Sequence, residues 1–139
     1  MAFMGMTKKQ FLKKSKKALN DTGGILLLIR GIIFKEEDNK ISHSEASNQL
    51  NNIRKSIESI FFEFDKINPP SKCIKLHLRI LRSLITLQES VNLYSQHLNT
   101  TKNDLKEESK SLEESMKLLD EFRKEYHILA DEVKTLLKK

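Results

Sequence analysis

The sequence predicts an all-α protein, an antiparallel up-down four-helix bundle of long helices in a single domain spanning residues 1–139. Three observations carry the prediction. Apolar residues recur in alternating steps of three and four nearly from end to end, the helical period and not the period of two of a strand. The chain holds only two prolines and four glycines, too few for a turn-rich β fold. Its clear breaks are short and polar, which makes consecutive helices antiparallel neighbours. A chain of this length buries about 68 % of its unfolded surface and needs no metal or disulfide to hold a core. The lone Cys73 cannot form an internal bridge.

The first helix is expected over 7–37. Its seam runs Leu12, Ser15, Leu19, Thr22, Leu26, Ile29, Ile33, flanked by Phe11, Ala18, Ile25 and Ile32. The phase survives passage through Gly23-Gly24, which favours one long helix over two, although each glycine costs about 1 kcal/mol relative to Ala. Residues 1–6 are expected to be disordered. The second helix, over 42–67, opens at Ser42-His43-Ser44-Glu45, an S-x-x-E capping box. Its seam is Ala46, Leu50, Ile53, Ile57, Ile60, Phe64, Ile67, and Asn68-Pro69-Pro70 ends it, because proline removes a donor and forces its predecessor out of the helical region.

Ser71 is expected to cap the third helix, over 71–98, whose seam reads Cys73, His77, Ile80, Leu84, Leu87, Val91, Tyr94, Leu98. Asn99-Thr100-Thr101 breaks it, since short polar side chains compete for backbone amides. Thr101 or Asn103 caps the fourth helix, over 102–138, with a seam from Leu105 through Glu108, Leu112, Met116, Leu119, Phe122, Tyr126, Leu129 and Val133 to Leu136. Glu108, one turn from the start, is expected at the wet end of the bundle.

The net charge of +6 is unevenly spread. Residues 1–20 carry Lys8, Lys9, Lys13, Lys14, Lys16 and Lys17 and no acid, and 71–100 carry Lys72, Lys75, Arg79 and Arg82 against Glu89. The other segments are each slightly acidic. Twenty lysines stand against five arginines. Lysine is a hydrated point charge that lacks the bidentate fork of arginine, so a nucleic-acid partner is not expected. The lysine cluster reads first as a solvated face whose stems cover apolar neighbours, and second as a contact for an anionic membrane surface.

No segment is long and apolar enough to span a bilayer, because the longest apolar run, 25–34, contains Arg30. The lysines before that run imitate a secretory signal, yet Asp21-Thr22-Gly23-Gly24 intervenes and no small-residue cleavage site follows. A cytoplasmic location is expected.

Motifs that carry chemistry have characteristic spacings. Gly23-Gly24 is followed by Ile25 and lacks the phosphate-loop and dinucleotide patterns, and G-x-S-x-G, H-E-x-x-H and C-x-x-C do not occur. A di-metal bundle needs Glu-x-x-His on two helices, and His43, His77, His97 and His127 have no acid three residues ahead of them. Cys73 and His77, four apart in one seam, could pair as nucleophile and base or as half a zinc site. The plainer reading packs the thiol as a small hydrophobe and gives the imidazole a hydrogen bond near the helix start. Tyr94 and Tyr126 read as core tyrosines whose hydroxyls reach water or a partner. No enzyme activity, metal or cofactor is expected.

The run 25–34 is apolar on nearly all sides of its helix. Such a helix is either central in a large core or partnered. Leu27, Leu28 and Phe34 point outward on a helical wheel, and Gly24 and Gly31 share that face and allow close approach of another backbone. Phe62 is a further member of the exposed patch. These six residues form the candidate interface, with a homodimer or another protein as the partner.

From Ser42 to Leu98, the end of the second helix at Phe64-Asp65-Lys66-Ile67-Asn68-Pro69-Pro70 and the opening of the third from Lys72 to His77 resemble helical proteins of low-G+C bacteria, which share a Pro-Pro followed by a histidine in the next helix. The resemblance rests on Pro69, Pro70 and His77. It implies a helical bundle with a binding or scaffold role and supplies no catalytic residue. Proteins of that type are often exported or anchored as lipoproteins, but no lipid-bearing cysteine after a signal occurs in this sequence. The expected function is a non-enzymatic interaction or scaffold module. The alternatives are a membrane- or surface-associated bundle using the lysine-rich helix, and a small-ligand or metal-binding bundle using Cys73, His77 and the tyrosines.

Overall fold

A computed structural model describes residues 5–99 and 105–139, and their side chains apart from those of 105–109. It consists of α1 (Lys8–Glu37), α2 (His43–Asp65), a single 3₁₀ turn (Ser71–Cys73), α3 (Ile74–Asn99) and α4 (Leu105–Lys138). The four helices form an antiparallel bundle in which α1 packs on α2, α2 on α3, α3 on α4 and α4 on α1. Across the diagonals, α1 touches α3 only slightly and α2 does not touch α4 among the described residues. At about 1.5 Å per residue the 34-residue α4 makes the rod about 50 Å long.

α1 runs unbroken through Gly23-Gly24. A capping box that the sequence reading did not pick out fixes its start: Thr7 Oγ1 accepts from the Gln10 amide at 3.1 Å, and Gln10 Oε1 accepts from the Thr7 amide at 2.9 Å. Met6 packs against the core, and residues 1–4 of the stretch expected to be disordered lie outside the described residues. The helix stops in a Schellman motif. The Lys40 amide donates to the Lys35 carbonyl at 2.8 Å and the Asn39 amide to the Glu36 carbonyl at 3.1 Å. Asn39 takes the left-handed backbone this requires, with φ 57°, a conformation asparagine tolerates better than most residues.

At the start of α2 the Ser42 hydroxyl accepts from the Glu45 amide at 3.0 Å, but only this half of the expected box forms. α3 departs further from expectation. Ser71 makes no capping bond; Pro70, held at φ −58° and ψ 153°, precedes a 3₁₀ turn closed by the Cys73 amide on the Pro70 carbonyl at 2.8 Å, and the α-helix begins only at Ile74. The proposed caps of α4, Thr101 and Asn103, and the side chain of Glu108 lie outside the described residues.

The core divides into two clusters along the rod. One gathers Phe11, Leu12, Leu19, Phe64, Cys73, Ile80, Leu84, Leu129 and Val133. The other gathers the buried part of 25–32 with Leu50, Ile53, Ile57, Leu87, Val91, Tyr94 and Phe122. On α1 the buried stripe is wider than the predicted seam, since Ile25 and Ile32 are buried whereas Ile33 is half-buried. The seam positions Ser15 and Thr22 are buried at no polar cost, each hydroxyl donating to the carbonyl four residues back, at 2.9 and 2.7 Å.

Candidate interaction surface

α1 carries two seams. The inner one is used up in the core. The outer one, also in steps of three and four, runs Lys9, Lys13, Lys16, Asn20, Gly24, Leu27, Gly31, Phe34. It changes character at its midpoint, from cationic to apolar. Leu27, Leu28 and Phe34 are 70 %, 60 % and 62 % exposed, although side chains of this size gain about 1.5–3 kcal/mol each when fully buried. Beyond the chain neighbours and the backbone of α1 itself, no described atom comes within 4 Å of where a side chain would begin at Gly24 or Gly31. The Lys40 ammonium lies 5.6 Å from the centroid of the Phe34 ring.

Leu27, Leu28 and Gly31 form one wall of a groove of about 350 Å³ whose other wall is α2, with Gln49, Asn52 and Ser56. Ile53 lies at the buried side of that wall, and its polar side chains leave the leucines exposed. Phe62 does not belong to this surface. It lies on the opposite flank of α2 and lines a separate groove against α3 with Phe61, Leu84 and Ile85. The six candidate residues are thus five on one face and one on another, because Phe62 is turned toward α3 while Ser56 and Ser59 face α1.

Lys8, Lys9, Lys13, Lys14, Lys16 and Lys17 are all exposed. Among the described residues only Lys17 of the six has an acidic partner, Asp21 at 3.2 Å.

Cys73 and His77 are both buried, and they serve packing and backbone. His77 lies between Phe11 and Phe64, at centroid distances of 5.9 and 4.9 Å. Its Nε2 sits 2.8 Å from the Phe64 carbonyl oxygen, so the ring donates to a last-turn carbonyl of α2 that also accepts from the Ile67 amide at 3.1 Å. Cys73 is in the core cluster. Among the described residues no three His, Cys, Asp or Glu side chains are grouped as a metal site would require.

No protein-family model matches the chain, and neither a curated protein nor a solved structure does.

The sequence reading missed a polar cluster at the end of the rod where α1 turns into α2. Glu36 is only 9 % exposed. Its Oε2 accepts from the Tyr94 hydroxyl at 2.7 Å, and its Oε1 lies 2.9 Å from His43 Nε2. Burial, helped by the Glu36 hydrogen bond and charge, pushes the Tyr94 hydroxyl far above the usual phenol range. The ring of Tyr94 also packs on His97 at 5.5 Å. Glu36 is the next seam position of α1, three residues after Ile33, and as a charged residue it does not stand out in an apolar periodicity. The cluster ties three helices together, so it is a structural clasp. Tyr126 is different: its hydroxyl lies against the bare backbone of Gly23, where a Cβ would collide with it. Burial raises its pKa as well.

Among the described residues no helix is long and apolar enough to cross a membrane.

Proposed function

We propose that this protein is a non-enzymatic interaction module whose working surface is the outer face of α1, and that it pairs there with a second copy of itself. The observation that carries the reading is the coincidence of three exposed large apolar residues, Leu27, Leu28 and Phe34, with two open glycines on one helix face. Charged residues ordinarily occupy such positions on a free-standing bundle. Gly24 and Gly31, two turns apart, let a second backbone approach closely, and burying the leucines and the phenylalanine supplies the driving force.

Charge sets the orientation. A parallel pair would bring Lys9, Lys13 and Lys16 of one copy onto the same lysines of the other. An antiparallel pair centred between Gly24 and Phe34 joins the apolar halves and leaves each cationic half projecting past the end of the partner's α1. The groove beside Leu28, with its polar wall of Gln49, Asn52 and Ser56, offers hydrogen-bonding groups for the rim.

Sedimentation equilibrium at micromolar concentration tests the reading. The wild-type chain is expected to sediment as a dimer, and Leu27→Glu or Leu28→Glu as a monomer. A wild-type monomer of 16.2 kDa refutes the pair. A dimer indifferent to both substitutions shows that the contact lies elsewhere.

A further inference from the structure

The fold gathers charge that the sequence spreads out. Divided across the middle of the helices, the half of the rod that holds the Phe11–Phe64–Leu129 cluster takes in residues 5–22, 59–85 and 124–139. It holds fifteen Lys and Arg against six Asp and Glu, while the remainder of the sequence holds ten against thirteen. The start of α1, the end of α2, the start of α3 and the end of α4 all meet at this end, so Lys66, Lys72, Lys75, Lys134 and Lys138 join the α1 lysines. Of those five, only Lys66 has an acidic partner among the described residues, Glu63 at 3.8 Å. The rod is electrically polar, with one cationic end.

We propose that this cationic end docks on an anionic lipid bilayer. Two further observations select a membrane over a nucleic acid. The unpaired charge is almost entirely lysine: of the two arginines in this half, Arg79 is held by Glu132 at 2.7 Å and Glu125 at 3.3 Å. Point charges suit a diffuse layer of headgroups, whereas phosphate readers rely on arginine forks. The second observation is apolar. Ile74 and Leu78, one turn apart on the first turns of α3, are 47 % and 44 % exposed and flank Lys75. Large apolar side chains among the lysines gain by entering the interfacial region of a bilayer and gain nothing from a phosphate backbone.

The docking surface shares no apolar residue with the proposed pairing face, so the two readings fail separately. The full chain is to be co-sedimented with vesicles of phosphatidylcholine alone and with vesicles carrying about 30 mol % phosphatidylserine, at low and high salt. The expected result is binding to the anionic vesicles at least about tenfold tighter than to the neutral ones, abolished by high salt. A triple variant Lys9→Gln, Lys13→Gln, Lys16→Gln is expected to weaken binding at least about tenfold. Arg54→Gln, Lys55→Gln, Lys110→Gln removes the same charge from the other half of the rod and is expected to change it less than about twofold. Ile74→Ser with Leu78→Ser is expected to weaken it with the salt dependence unchanged. Equal binding to both vesicles, or equal loss in the two triple variants, overturns the proposal. So does tighter binding to a nucleic-acid duplex than to the anionic vesicles.

Discussion

Tyr94 and Glu36, 58 residues apart, meet at 2.7 Å in the interior of the bundle, where the phenol hydroxyl donates to a carboxylate that also faces His43. The contact joins the end of α1 to α3 across the bundle diagonal. It is the main polar link between helices that otherwise hardly touch.

Removing the hydroxyl leaves a buried carboxylate oxygen without its partner. Tyr94→Phe is therefore expected to destabilise the protein by about 1–3 kcal/mol, measured by urea denaturation. His43 is largely exposed, and His43→Ala is expected to cost about 1 kcal/mol or less. A loss for Tyr94→Phe below that for His43→Ala would show that the clasp is not the strong contact.

The same contact makes alkaline titration informative. The chain has two tyrosines and no tryptophan, and both phenols are raised above the ordinary value of 10.0, Tyr94 chiefly by burial and then by Glu36, Tyr126 by burial. A raised folded-state pKa means that the native state holds the proton longer than the unfolded chain. The stabilisation is thus fully present below pH 10 and declines as pH rises above it, by up to about 1.4 kcal/mol per pH unit for Tyr94. Phenolate absorbance is expected to stay low in the native protein just above pH 10 and to rise on unfolding. Native phenolate appearing at the free-tyrosine pKa for both residues would contradict the geometry.

Gly23 and Gly24 are neighbours in one helix with opposite surroundings. Gly24→Ala meets open space and is expected to stabilise the monomer by up to about 1 kcal/mol, the helix-propensity difference. Gly23→Ala places its methyl against the Tyr126 hydroxyl and is expected to gain less or to lose stability. Combining Gly23→Ala with Tyr126→Phe is expected to recover part of the gain. Thermal unfolding at concentrations low enough to keep the chain monomeric checks all three, and equal gains at the two glycines would contradict the packing of Tyr126 on α1.

α3 and α4 make the most extensive helix pair in the bundle, and a serine exchange lies at its centre. Ser90 Oγ donates to the Ser115 carbonyl at 2.9 Å and Ser115 Oγ to the Ser90 carbonyl at 2.7 Å. Ser83 and Ser111 are buried too. Ser115→Ala, which keeps the small volume, is expected to cost about 0.5–1.5 kcal/mol. Ser115→Leu overfills the seam and is expected to cost about 1–3 kcal/mol or more. Chemical denaturation ranks the two, and a leucine tolerated as well as alanine would show a loose interface.

Much of this was legible in the residue order. Seam spacing sets the four helices, because a helix must turn one stripe inward and the steps of three and four mark that stripe. Pro69 and Pro70 set where α2 stops through backbone geometry alone. The continuity of α1 past Gly23-Gly24 followed from the unbroken phase, and the outward direction of Leu27, Leu28 and Phe34 from the same wheel. These are local properties, decided within a few residues of one another. What only the tertiary structure decided is everything that depends on distance between elements. Phe62 parts company with Leu28 because α2 turns one flank to α1 and the other to α3. Glu36 is buried by Tyr94, a residue no local pattern connects to it. Gly23 is covered by Tyr126 while Gly24 is bare, a difference set by where α4 crosses. The lysines of α1 and those of α2, α3 and α4 become one cationic end because antiparallel packing brings distant termini together, and charge acts through space, not along the chain.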